Sequence, residues 1–132
     1  VIDSSGRLDI DLGTDTTALM IMQNAATVNG NGVAVTVDGY NGAQILEIFE
    51  TAGGTGTVSL QGSMDGAAWM PNIGYQQTDG QATPTRSVQN IGVGANSRHF
   101  YQILDPYKYI RCVISSIAGN AVITARVYAV AL

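Results

Sequence analysis

Charge is what this sequence has least of. Charged side chains make up 12% of the residues, about half the ~25% usual in a soluble domain. A small domain with so few charges can hide more surface than its own core requires, so assembly with further copies or other partners is expected. Cysteine is nearly absent too: Cys112 stands alone, which excludes an intrachain disulfide, a zinc knuckle and a redox pair. It reads as a small apolar residue buried in a strand. The single histidine, His99, cannot build a His-rich metal site. Basic residues number six (Arg7, Arg86, Arg98, Lys108, Arg111, Arg126) and are scattered. With a net charge of −4 and a pI near 4.5, no nucleic-acid surface is expected. No apolar run approaches the ~18 residues of a membrane span, so no membrane partner is expected.

What is present is apolar residue in quantity, 45% of 132, enough to exclude a disordered chain and to fill one core. The opening Val1-Ile2-Asp3-Ser4 carries neither the basic nor the apolar part of a signal peptide, and it has no initiator Met. It reads as a processed, trimmed or partial start.

The apolar residues fall in short runs parted by Gly, Asn and Asp. The stretch Ala43–Pro71 organises the chain. Ala43–Glu50 and Thr57–Gly62 flank the break Thr51–Gly56, and Ser63-Met64-Asp65-Gly66 leads into Ala67–Met70. Asp-Gly between apolar runs marks a turn, so the stretch predicts a β-meander, with Trp69 buried as its anchor. Leu46 and Ile48 share one face of the first run, and Ile45, Glu47 and Phe49 the other, as in a strand covered on both sides. Before it, Asn29–Gly32 reads as a turn and Val33–Val37 as a strand with three valines inward. After it, Asn72–Ser97 reads as a long loop, with one strand within Ser87–Val93. Arg98–Leu104, Tyr107–Ser115 and Ala121–Leu132 follow as strands, the last of them interior to its sheet. The run Ala18–Met22 leans to a strand. Upstream, Leu8, Ile10 and Leu12 alternate with Asp9 and Asp11, the period of a strand with one wet face. The pair Asp9 and Asp11 is a cation site or a solvated edge, and no calcium-loop pattern follows it. Residues 1–17 therefore read as an N-terminal arm or edge strand, and 18–132 as one domain. Eight to ten strands with such turns mean an all-β, single-domain antiparallel β-sandwich, jelly-roll-like.

No residue pattern announces a chemistry. The glycine-rich turns lack the Gly-Lys-Ser/Thr of a phosphate loop, and no Gly-x-Ser-x-Gly elbow accompanies His99. Glu47 and Glu50 point to opposite faces at their spacing, which makes them poor partners for paired-carboxylate chemistry. The expectation is a non-enzyme with no cofactor and no metal. Loops on a β scaffold are where binding sits, so Tyr75, Gln76, Gln77 and Arg86 form a candidate contact surface, with Leu8, Ile10 and Leu12 of the arm. Trp69, Tyr75, Tyr107 and Tyr109 form an alternative, a sugar-stacking platform.

Gly56–Trp69, reading GTVSLQGSMDGAAW, resembles a hairpin of small β-sandwich virion proteins of tailed bacteriophages, a strand followed by Ser-x-Asp-Gly-x-x-Trp. Discoidin-like galactose-binding domains carry a similar hairpin, but this chain lacks their cysteine pair. The matching residues are about a tenth of the chain. The phage resemblance implies a head decoration (cement) protein: often a homotrimer, seated on the major capsid protein lattice at the virion surface and assembled in the host cytoplasm. Its contacts would be residues 1–17 and 72–97. A carbohydrate- or receptor-binding module, or a subunit of a tail, head–neck or filament assembly, are the other readings.

Overall fold

The computed structural model describes residues 16–80 and 83–132. Among them run ten strands and no helix: β1 Thr16–Ala26, β2 Gly30–Asn31, β3 Val35–Thr36, β4 Gln44–Glu50, β5 Thr55–Ser63, β6 Tyr75–Gln77, β7 Ile91–Val93, β8 Arg98–Ile103, β9 Tyr109–Ala118 and β10 Ile123–Ala131. They form two packed antiparallel sheets, ordered β1-β10-β4-β8-β6 and β2-β9-β5-β7, with β3 also on β9. The pairs nest. β1 lies on β10, β2 and β3 on β9, β4 on β8, and β5 on β7. Such a set is one long hairpin rolled over on itself until β10 meets β4 and β9 meets β5. That is the jelly-roll sandwich the alternation predicts.

Period-two patterning builds the core between the sheets. Ile110, Cys112 and Ile114 of β9 face Leu46 and Ile48 of β4 and Ile123, Ala125 and Val127 of β10, all buried. Val58 and Leu60 of β5 complete the centre. Cys112 is fully enclosed, as expected, and burial pushes its thiol pKa up to about 12. The last strand is interior, between β1 and β4. It needs no edge protection because both its neighbours cover it.

Several expectations are corrected. The meander does not form, because β4 and β5 lie in different sheets and Thr51–Gly54 is a corner between layers. Ala67–Met70 is no strand, and only Met70 bridges back to Gly62. The Asp-Gly turn itself stands: Gly66 takes φ +78°, and the Asp65 carboxylate accepts the N–H groups of Ala67 and Ala68. Asn29–Gly32 is not merely a turn, since Gly30 and Asn31 pair with Ile114 and Val113. Val33 is 65% exposed while Val35 and Val37 are buried. The reason is that Val33 donates its N–H to the Met22 carbonyl, so the chain crosses between sheet edges there. Within 72–97, β6 is a further strand, three residues long and polar enough to escape the pattern. The arm residues Leu8, Ile10 and Leu12 lie outside the described residues.

Leu60→Ala should cost about 2–5 kcal/mol of unfolding free energy, whereas Val33→Ala should change it by less than about 0.5 kcal/mol. Urea denaturation of the two variants checks this.

Candidate functional site

The carboxylates show first what the molecule's polar groups are for. Glu50 closes β4 with its side chain turned into one end of the sandwich. Its Oε2 accepts the N–H of Ala52 at 2.7 Å and of Val122 at 3.0 Å, and its Oε1 those of Gly53 at 2.9 Å and Asn96 at 2.8 Å. Burial pushes this carboxyl up, but the four backbone donors outweigh it and hold the pKa at about 2. Glu47 sits two-fold out of phase, on the outer face of the first sheet. It accepts from Arg98, from Arg126 Nε at 2.5 Å and from the Tyr128 hydroxyl at 3.3 Å. Burial raises its pKa, the two guanidinium groups lower it, and the net direction is down. Both arginines also lie against Phe49, at 4.1 and 5.2 Å from its ring centre. The two glutamates do point to opposite faces, and each is spent on structure.

The predicted contact residues are neighbours, since Tyr75 bridges Ser87 and Arg86 lies against Gly74, but they differ in exposure. Tyr75 is 7% exposed, so it is a core residue and not a surface one. Its ring meets Tyr101 edge-on at 5.5 Å, and its hydroxyl donates to the Gln89 carbonyl. Gln76 and Gln77 are half-buried on β6, bonded to Gln102 and to the Asp79 carbonyl. Arg86 is exposed and grips Asp105 with two bonds, at 2.6 and 3.0 Å. Asp105 in turn accepts the Gly74 N–H. Arg86 foremost, with that N–H, outweighs burial and lowers its pKa. His99 meets a carboxylate, with Nδ1 at 2.9 Å from Asp79 Oδ2. The pair is open to solvent, at 41% and 34% side-chain exposure. Asp79 also takes the Phe100 N–H, so this pair ties a loop to β8. Among the described residues, no three of His, Cys, Asp and Glu gather at one point.

Of the four platform aromatics, Trp69 and Tyr107 line one groove beside the end of β5. Trp69 is not the core anchor expected of it. It lies half-exposed with the Arg111 guanidinium 4.2 Å over its ring. A shallow groove of about 310 Å³ is lined by Trp69, Tyr107, Met64 and Met70. Tyr107 lies flat on the backbone of β5, where a Cβ at Gly62 would come within 2.5 Å of its ring. Tyr109 passes beside Gly66. Tyr75 belongs to the opposite sheet and takes no part. A second cleft, of about 220 Å³, opens among Tyr75, Gln77, Ser87, Asn90 and Tyr101.

Asp79 and Asp105 have no distinguishing sequence context, and that of Glu50 marks only its opposition to Glu47. Only half of the Glu50 signal is local: a carboxylate two and three residues before the N–H groups of a glycine-rich turn.

No family model matches this chain, and no curated protein matches it in sequence. In fold it is similar to the crystal structure of SPBc2 prophage-derived protein YomS. The TM-score is 0.65 and the identity 11%, over 92% of this chain and 99% of that one. The likeness is one of fold across nearly the whole of both chains.

Glu50 carries a pH dependence with a definite sign. Its pKa lies below the ordinary value of 4.5, so the stability it contributes is present above about pH 4.5 and is lost as pH falls towards 2. Glu50→Gln should lower the unfolding temperature at pH 7 by several degrees and flatten its fall between pH 5 and 2. Thermal unfolding followed at stepped pH checks both.

Proposed function

We propose that this chain is a structural component of a phage particle, a decoration protein that binds the capsid lattice as a homo-oligomer and works through the surfaces it covers. The observation that carries this reading is the jelly-roll fold shared, end to end, with a prophage-derived protein. Three further features support it. Each acidic group with a displaced pKa (Glu47, Glu50, Asp65, Asp79, Asp105) is displaced downward, whereas a general acid at neutral pH needs its pKa raised. The polar side chains at these points are consumed in holding turns. The scarcity of charge leaves faces suited to burial against neighbours. Repeated over a shell, modest contacts of this kind sum to a large stabilisation. In this role the protein needs neither active site nor cofactor, and its place is the virion surface.

The full chain added to capsids that lack it should bind to saturation and raise the temperature at which they open. Removal of residues 1–15 should abolish binding while the unfolding transition of the domain persists. Undiminished binding by the shortened chain would count against the arm as a contact.

The groove at Trp69 and Tyr107 favours a second reading, a carbohydrate- or receptor-binding module. Its flat rings with polar edges are the surface on which a sugar stacks. On this reading a glycan array shows saturable binding that Trp69→Ala reduces at least ~10-fold with the fold intact.

A further inference from the structure

Among the described residues, the first sheet ends at β1 in an edge that carries no further strand. β1 is eleven residues long, while the other edge strands, β2, β3, β6 and β7, have two or three. Natural sheets blunt long edges with charge, proline or brevity, and from Thr16 to Val37 this chain has no charged residue and no proline. Among the described residues β1 pairs with β10 alone from Thr16 to Ile21. Its direction can be read from β10, where Val130 turns its N–H and C=O to Ala43 and Gly42 on the β4 side. By the period of two, Ala129 and Val127 turn theirs to Ala18 and Met20, so the N–H and C=O groups of Thr17, Leu19 and Ile21 point outward. Beside this edge, Leu19 and Ile21 stand 48% and 41% exposed, opposite Tyr128 and Arg126 on β10. The Arg126 charge is already matched by Glu47.

We propose that the outer edge of β1, from Thr16 to Ile21, is a seam at which two copies of this chain pair antiparallel through the same strand, running one five-stranded sheet into the other. The occupant follows from charge. About a two-fold axis every side chain meets its own kind, which penalises a charged edge through like-charge contact and leaves an uncharged one without that penalty. Main-chain bonds then close the edge, and Leu19 and Ile21 of both copies cover one another on the outer face. The seam rests on the self-association within the structural-protein reading and specifies its symmetry: two-fold, where the resemblance in sequence implies a trimer.

Sedimentation of the full chain should give twice the mass of one chain. Thr17→Pro removes an N–H that β10 does not use, and Leu19→Lys sets like charges across the axis. Both variants should keep the near-ultraviolet dichroism of the fold and weaken the dimer at least ~10-fold. Because Cys112 is buried, an introduced thiol is the accessible one. Under oxidation at least one of Thr17→Cys, Leu19→Cys and Ile21→Cys should cross-link two copies, and Val88→Cys, exposed elsewhere, should not. A monomer, a trimer, a dimer unmoved by both variants, or no cross-link overturns the seam. None of these results touches capsid binding, and loss of capsid binding in a chain that still dimerises overturns the decoration role alone.

Discussion

One carboxylate holds the end of the sandwich together. Glu50 terminates β4 and gathers N–H groups from three separate connections: the corner to β5, the β7–β8 turn and the approach to β10. Each of those part-buried amides finds its partner in this one side chain. A charged acceptor satisfies all four at once, and charge-assisted bonds are the stronger kind. The rolled topology depends on this. A jelly roll brings the turns of distant strand pairs to one end, where no ladder remains to use their backbone groups, and Glu50 stands at the point where they converge.

The same economy appears across the molecule. Asp65 caps its own turn, Asp79 ties a loop to β8, Asp105 joins Arg86 to Gly74, and Glu47 lets two arginines lie against an outer sheet face. Buried polar side-chain atoms without a partner are absent among the described residues. Charge in this protein is therefore internal reinforcement, and the surface it leaves behind is comparatively apolar: Leu19 and Ile21 at one edge, Trp69, Met64 and Met70 at the far sheet. Aromatic, methionine and arginine side chains of this kind are the ones that concentrate at interface cores. Such faces are what the proposed decoration role would use.

Much of the fold was legible in the residues. The alternation of Ile110, Cys112 and Ile114, and of Ile123, Ala125 and Val127, marks strand and buried face together, because side-chain direction repeats every two residues whatever the partner strand. Asp65-Gly66 marks its turn because positive φ is a local property of the backbone. The sugar-platform residues were half legible: Trp69 and Tyr107 share a groove, but Tyr75 looks identical in sequence and lies in the other sheet's core. Tyr75–Gln77 was not legible as a strand, since three residues carry no period.

The sequence by itself determined that this is an all-β sandwich of many short strands, with an interior final strand, an enclosed lone cysteine and little charge to spare. Only the tertiary structure decided which strands became neighbours, that β4 and β5 part into different sheets, and that Trp69 faces outward beneath Arg111. It alone brought Asn96 and Val122 to Glu50, residues 46 and 72 positions away in the chain. The division has one cause. Periodicity and turn chemistry act over a few residues, whereas pairing and burial are settled only when both faces of every strand compete for the same core.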